Sequence, residues 1–239
     1  MVISSFFRTL LIAVIIIPAG TVIGLLIAIM LNKNIKGVGI FRTAFYLPSV
    51  IPLLVVGTVF VAIYQYDGGL FNQIVNAFGH ASINWMDYNH VFGSLIIMLL
   101  WGSGSTLLIN LAALKGVPKE LYESAEIDGA SSFAKTFRIT LPMITPIIFY
   151  NVVTGLIWAL QIFYQPYLLS GSKGFTTAPQ PPVNTYVVRI FLAIFTNQKF
   201  AYGLAMIWLF FIVIMAVTLV LFKSSSFWVF YDTAQGGEK

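Results

Sequence analysis

A series of polar and aromatic residues recurs at helical spacing inside an apolar stretch of the chain. Its members are Asn151, Thr154, Gly155, Trp158, Gln161 and Gln165. Steps of three and four residues predict that they share one face of a helix. Amides are costly in lipid, so we expect this face to meet the bundle interior or a cavity. An indole beside amides suits a sugar, because the ring covers C–H groups while the amides bond hydroxyls.

Two interpretations of this face stay open, since it either lines a substrate pathway or forms hydrogen bonds between packed helices. Trp101, Ser105 and Asn110, in the preceding apolar stretch, could supply the facing wall of a pathway. The pathway that we predict comprises Trp101, Ser105, Asn151, Gly155, Trp158, Gln161 and Gln165.

A second candidate site is the polar segment 115–142, which interrupts the apolar sequence. It holds four of the eight acidic residues, namely Glu120, Glu123, Glu126 and Asp128. Pro118 suits the first turn of a helix, and Gly129 suits a helix end with a positive φ. Ser131 or Ser132 can cap a second helix. The pattern predicts two short helices joined at Gly129 that offer a surface to a partner; a merely solvated amphipathic loop is the alternative.

Several kinds of chemistry find no support in the sequence. Without cysteine there is neither a disulfide nor a cysteine metal site, and His80 and His90 lack a third ligand at metal spacing. No G-x-x-x-x-G-K-[ST] motif occurs, so any ATP hydrolysis belongs to a partner. The basic residues are not interleaved with aromatic ones, which argues against nucleic acid binding. No nucleophile–base motif and no pair of carboxylates within a span is present, which disfavours an enzyme and a proton-coupled carrier.

The composition indicates a membrane protein, because 59% of the 239 residues are hydrophobic and only 9% are charged. Five apolar stretches are long enough to cross a bilayer, which predicts an all-α, polytopic transmembrane helix bundle. They cover residues 9–31, 44–64, 91–114, 143–168 and 201–222. We expect Pro48 and Pro52 to break the second span, and Gly20, Gly24 and Ala28 to allow close helix contact in the first. Residues 32–42 are expected to form a loop, and residues 70–78 a short amphipathic helix.

The distribution of basic residues predicts the orientation of the bundle. Nine of them fall on one side: Lys33, Lys36, Arg42, Lys115, Lys119, Lys135, Arg138, Lys223 and Lys239. The other side holds Arg8, Lys173, Arg189 and Lys199. The positive-inside rule therefore places segment 115–142 and the C-terminus in the cytoplasm and the N-terminus outside.

The order of residues in segment 115–142 resembles a known motif. Glu123-Ser124-Ala125 is followed after three residues by Gly129 and after nine more by Ile139-Thr140-Leu141-Pro142. This resembles the EAA loop, E-A-A-x3-G-x9-I-x-L-P, of the membrane subunits of binding-protein-dependent ABC importers. Residues 41–48 are similar to the R-x-x-F-x-L-P signature of the maltose-type sugar permeases, and residues 67–72 with Trp85 resemble their external loop.

This resemblance implies a type I ABC importer permease fold that occupies residues 1–239 as one domain, with 115–142 as its cytoplasmic coupling loop. The family usually has six spans, so the five here imply that an N-terminal span is absent or lies upstream. In place of the family's G-G-P-x-x-x-T loop, residues 171–177 read Gly-Ser-Lys-Gly-Phe-Thr-Thr. The residues implied to dock on an ATPase subunit are Glu123, Ala125, Asp128, Gly129 and Ala130.

The function implied is that of a permease subunit in an ATP-driven importer of sugars or oligosaccharides in the bacterial cytoplasmic (inner) membrane. Its implied partners are a related second permease subunit, two ATP-binding subunits that hold ATP and magnesium, and an extracytoplasmic sugar-binding protein. The chain itself would carry no cofactor and no catalytic residue. The alternatives are a secondary carrier for a small polar solute and a membrane scaffold that transports nothing.

Overall fold

The computed structural model describes residues 2–32, 36–170 and 175–230, and every regular element within these ranges is a helix. In chain order the helices are α1 (Val2–Leu31), α2 (Val38–Val50), α3 (Leu53–Ile63), α4 (Leu70–Ala77), α5 (Val91–Trp101), α6 (Leu107–Gly116), α7 (Lys119–Ile127), α8 (Ser132–Lys135), α9 (Leu141–Met143), α10 (Thr145–Leu160), α11 (Tyr164–Leu169), α12 (Tyr186–Phe191) and α13 (Phe200–Trp228). The all-α prediction is therefore confirmed. Helix α1 is central, since it contacts α5, α6, α10 and α12.

The second apolar stretch is not one straight helix. The chain bends by 102° between α2 and α3, and Pro52 lies immediately before α3 with φ −55° and ψ 137°. The predicted break is confirmed at Pro52, because a proline here removes a backbone donor and favours an extended entry to the next helix. Pro48 was also expected to break the helix, but it lies within α2. The expected loop 32–42 is shorter, because α2 already begins at Val38.

The third apolar stretch is continuous but changes its helical form halfway. A 3-10 segment, Gly102–Thr106, joins α5 to α6. It packs against the backbone of α2, and a Cβ atom at Gly104 would overlap the carbonyl oxygen of Phe45. Glycine is therefore required for this contact between two backbones.

The number of spans depends on how the bent pieces are counted. Helices α1 and α13 are each long and apolar enough to cross a membrane. The α2–α3 pair and the pair formed by Ser132–Met143 and Thr145–Leu160 raise the number to four if each bent pair is one span. Helices α5 and α6 are shorter, so the count of five stays a prediction.

Two apolar clusters hold the bundle together. The larger one joins α1, α3, α5, α10, α12 and α13, and it includes Ile12, Tyr64, Leu95 and Leu160, all fully buried. The smaller one joins the end of α1 to α6 and to the start of α10 around Ala28, Leu107 and Ile144. Gly24 and Ala28 are buried on α1, as expected of a strip of small residues that lets helices approach.

The residues between α3 and α5 are fixed by one buried side chain. Asn72 of α4 is 1% exposed, and its amide nitrogen donates to the carbonyl oxygens of Gln65, Tyr66 and Ile83 at 3.3, 3.1 and 2.9 Å. Its Oδ1 accepts from the backbone of Ile83 at 2.9 Å and from the indole of Trp85 at 3.0 Å. The short helix expected at 70–78 is confirmed, and its asparagine anchors the loop that follows.

A joint lies where the helices from segment 115–142 enter α10. A π-helical turn, Thr136–Thr140, and α9 continue α8, and the chain then bends by 63° before Thr145–Leu160. The hydroxyl of Thr145 accepts from the backbone N–H of Phe230 at 2.8 Å. The ring of Phe149 meets Phe222 and Trp228 edge to face. The end of α13 thus packs directly on this joint.

Candidate functional site: a central cavity and an exposed helical hairpin

A cavity of about 480 Å³ lies between α1, the α2–α3 bend, the 3-10 segment and α10. Its volume falls within the roughly 300–1,000 Å³ typical of small-molecule sites. The lining residues are Ile16, Ile17, Gly20, Thr21, Pro48, Ser49, Ile51, Leu53, Leu99, Gly102, Thr106, Asn151, Thr154, Gly155 and Trp158. The two helix irregularities therefore form part of the cavity wall.

Helix α10 contributes the polar face that its sequence predicts. Asn151, Thr154, Gly155 and Trp158 all line the cavity. They lie one turn apart because the helix is regular from Thr145 to Leu160. Trp158 is 42% exposed, so its ring is available to a ligand in the cavity.

Two other predicted residues line a smaller neighbouring pocket. Trp101 and Gln165 share this pocket of about 50 Å³ with Trp158 and Pro48. Gln165 is buried in α11, whereas Trp101 is exposed and meets Phe60 edge to face at 5.5 Å. Trp158 lines both spaces, so the structure brings these residues to the same region of the bundle.

The placement of Gln161 on this face is wrong. Helix α10 ends at Leu160, and the backbone N–H of Gln161 bonds the carbonyl oxygen of Trp158 at 3.0 Å in the final turn. Its side chain is exposed and lines neither space. The helical periodicity stops where the helix stops, so extrapolation by three residues failed. The side chain of Ser105 lies outside the described residues.

Sequence reasoning missed the wall that α1 and α2 contribute. Ile16, Ile17, Gly20 and Thr21 of α1 and Ser49 of α2 line the cavity. Gly20 was expected to allow close helix contact, but it instead lines open space. The sequence of α1 alone does not distinguish a glycine in a helix contact from one that lines a cavity.

Asn151 also joins two helices. Its Nδ2 donates to Oδ1 of Asn110 in α6 at 2.7 Å, and both residues are at least 95% buried. The two interpretations of this polar face therefore both hold at Asn151, which lines the cavity and forms a hydrogen bond between helices. Its own Oδ1 is buried without a hydrogen-bond partner.

A double-mutant cycle separates these two contributions of Asn151. We expect Asn110→Leu to lower the free energy of unfolding by about 1 kcal/mol, because Asn151 then loses its acceptor in a buried site. Asn110→Leu/Asn151→Leu should restore most of that loss, since neither polar partner remains. Unfolding of the purified protein in detergent measures Asn110→Leu, Asn151→Leu and the double variant. Strictly additive losses would show that the bond contributes nothing.

Segment 115–142 forms a helical hairpin, α7 and α8 joined by residues 128–131. Gly129 has φ +73°, and the N–H of Ala130 bonds the carbonyl oxygen of Ala125 at 2.8 Å, which closes α7. The hydroxyl of Ser131 accepts from the N–H of Ala134 at 3.2 Å and caps α8. The predicted pair of short helices joined at Gly129 is confirmed.

Two contacts across the hairpin fix the angle between its helices. Lys135 forms an ion pair with Glu126 at 2.6 Å near the tip. Near the base, the hydroxyl of Tyr122 bonds that of Thr140 at 2.8 Å, and Tyr122 packs on the smaller apolar cluster. These contacts hold the two sides of the hairpin together, and Tyr122 holds its base against the bundle.

The tip of the hairpin is both polar and apolar on its exposed surface. Glu123, Asp128 and Gly129 are exposed, and Ala125 and Ala130 are half-buried. Large apolar side chains accompany them: Leu121, Ile127, Phe133 and Phe137 are 41%, 88%, 72% and 53% exposed. The two neighbouring apolar residues of α7 differ, because Tyr122 turns inward while Leu121 stays exposed. Exposure of Ile127 was not predicted, and such a patch is typical of a docking surface.

The fold and these two features define an all-helical membrane protein with an internal cavity and a projecting hairpin. The chain belongs to the family described as the binding-protein-dependent transport system inner membrane component, which matches residues 20–229. This confirms the family that the motif in segment 115–142 indicates.

Named relatives agree with this membership. The chain is 36% identical over 225 residues to the probable ABC transporter permease protein YesP of Bacillus subtilis, covering 92% of this chain and 71% of YesP. It is 34% identical over 153 residues to the trehalose/maltose transport system permease protein MalF of Thermococcus litoralis, covering 63% of this chain and 52% of MalF. The chain thus spans only about half of MalF.

A solved structure has the same fold. It is a bacterial alginate ABC transporter in complex with an alginate pentasaccharide-bound periplasmic protein. One of its chains superposes with a TM-score of 0.84 at 23% identity, over 93% of this chain and 77% of that one. The expected importer-permease fold is therefore confirmed.

Proposed function

We propose that this chain is the transmembrane permease subunit of an ATP-driven carbohydrate importer and that it forms part of the translocation path. One observation carries the proposal: α10, which lines the cavity with Trp158, begins at the joint with the exposed hairpin. A displacement of the hairpin therefore reaches the cavity through one bend in the chain. The naming of a relative for trehalose and maltose supports a carbohydrate as the substrate.

We infer the partners from the absence of a phosphate-binding motif in the sequence and from the exposed surface of the hairpin. The sequence has no phosphate-binding motif of its own, so we assign ATP and magnesium to two ATP-binding subunits. Glu123, Ala125, Asp128, Gly129 and Ala130 would form the surface that docks on one of them. A related second permease subunit would complete the path, and an extracytoplasmic binding protein would deliver the sugar. The hairpin and the C-terminus would face the cytoplasm.

The mechanism that we propose is alternating access. ATP binding closes the two nucleotide-binding subunits, and the hairpin transmits that closure to α10. The rearranged helices then open the cavity to the opposite side of the membrane. The α2–α3 bend and the 3-10 segment, both in the cavity wall, are the places where the backbone is least regular.

Purification of the tagged chain from its native membrane tests this proposal. We expect an ATPase, a second permease and an extracytoplasmic binding protein to co-purify, and ATP hydrolysis to rise when sugar-loaded binding protein is added. Uptake by the chain alone would instead indicate a secondary carrier. A complex whose ATP hydrolysis ignores the binding protein would indicate a scaffold.

The indole of Trp158 should contribute to sugar affinity. We expect Trp158→Ala to raise the sugar concentration for half-maximal uptake roughly tenfold, because the variant loses an aromatic face in the cavity. Uptake into proteoliposomes by the complete importer measures this. Trp208→Ala is the control, since Trp208 is 66% exposed on α13 and does not line the cavity. Equal affinities in both variants would remove Trp158 from the path.

A further inference from the structure

The segments that line the cavity contain no charged side chain. Residues 9–32, 43–66, 88–114 and 139–172 include no Asp, Glu, Lys or Arg, and every residue of the cavity wall falls within them. A charged ligand held in such a site would have no counter-ion from this chain. Removing an unpaired charge from water into an apolar site is strongly unfavourable.

Two exposed hydroxyl groups of the cavity, those of Ser49 and Thr154, can only accept a hydrogen bond from a ligand. A hydroxyl has one hydrogen to donate and two lone pairs that accept. Ser49 donates its hydrogen to the carbonyl oxygen of Tyr46 at 2.7 Å, and Thr154 donates to that of Tyr150 at 2.8 Å. Both side chains are exposed within the isolated chain and line the cavity. A ligand that reaches these two oxygens must therefore donate the hydrogen, whereas the indole N–H of Trp158 in the same wall is a donor.

Asn151 offers little to a ligand, because it is 5% exposed and one of its amide hydrogens is directed to Asn110. The wall that α2 and α10 form thus presents the accepting hydroxyls of Ser49 and Thr154 beside the indole donor of Trp158, which suits a ligand that both donates and accepts hydrogen bonds. A carboxylate or a sulfonate is acceptor-only when ionised, whereas a sugar hydroxyl donates.

We infer that the cavity takes uncharged, polyhydroxylated saccharides and rejects acidic ones. This inference rests on the proposed function and specifies its substrate class. Family membership does not decide between neutral and acidic saccharides. One relative is named for the transport of trehalose and maltose, which are neutral, and one structural neighbour is named for the import of the acidic polysaccharide alginate. The decisive features are the charge-free spans and the two accepting hydroxyls of this chain.

Transport by the complete importer in proteoliposomes, with its own binding protein, tests the inference. The probes are neutral di- and trisaccharides of glucose, galactose and arabinose, together with the matching oligosaccharides of glucuronate and galacturonate. We expect uptake and stimulated ATP hydrolysis from neutral members alone. Uptake of an acidic saccharide would overturn the inference and leave the proposed function intact. Uptake of a solute that is not a saccharide, with none of the panel transported, would overturn both.

A variant tests one of these accepting hydroxyls directly. Thr154→Val keeps the shape of the side chain but removes the accepting oxygen, so we expect about a threefold to tenfold higher KM for the transported saccharide with little change in maximal rate. Thr58→Val is the matched control, because the Thr58 hydroxyl also bonds a carbonyl oxygen of its own helix, that of Val55, but does not line the cavity. An unchanged KM for Thr154→Val would contradict the assignment.

Discussion

Replacement of Gly129 by aspartate should lower ATP-driven uptake roughly tenfold or more while the protein still folds and inserts. A Cβ atom at this position meets nothing within 4 Å, and aspartate tolerates the left-handed conformation better than most residues. The cost to the fold is therefore about 1 kcal/mol. We expect the larger effect to be on the proposed docking to the ATPase subunit, because a carboxylate beside the exposed Asp128 alters the tip of the hairpin.

A matched variant isolates the docking effect from the backbone effect. Gly79 also has a positive φ, of 80°, and open space around its Cβ position, but it lies in the connection between α4 and α5. We expect Gly79→Asp to transport normally. Co-purification of the ATPase subunit and stimulated ATP hydrolysis measure both variants. Equal behaviour of the two would show that the hairpin tip does not couple to the ATPase.

Replacement of Asn72 by alanine should destabilise the α3–α5 connection by about 3 kcal/mol. The variant loses five hydrogen bonds, and each buried group left without a partner costs about 1–3 kcal/mol. Partial access of water to the loop reduces the sum. Thermal unfolding in detergent should therefore show a lower Tm, and the Trp85 fluorescence should report the loosened loop.

The same helix supplies the control for this stability prediction. Asn76 is exposed, and its amide bonds only the half-buried Ser82 at 3.2 Å. Asn76→Ala should change the free energy of unfolding by less than about 0.5 kcal/mol. If the two alanine variants unfold at the same temperature, Asn72 does not hold the connection together.

Local backbone features were the most predictable part of the structure. Gly129, Ser131 and Pro52 each specify a conformation through their own covalent geometry or side chain, so the hairpin and the α2–α3 break followed from residue type alone. The 102° angle at that break did not, because proline removes a donor without setting the direction of the next helix.

Only part of the cavity wall could be predicted from the sequence, because periodicity reports on one helix at a time. Periodicity on α10 identified Asn151, Gly155 and Trp158, which belong to one regular helix. It failed at Gln161, beyond the helix end, and it could not identify Ser49 or Thr21, because pairing between distant helices leaves no periodic signal in either. Whether Gly20 lies in a helix contact or lines the cavity likewise depends on the helix opposite it, which the sequence of α1 alone does not reveal.

The bond between Thr145 and the backbone of Phe230 has a mechanical consequence. Phe230 lies just beyond the end of α13, so this bond and the ring contacts of Phe149 hold the end of α13 against the start of α10. A displacement of the hairpin should therefore reach α13 as well as α10. We expect a pair of spectroscopic labels on the adjoining ends of these two helices to keep a constant separation during transport.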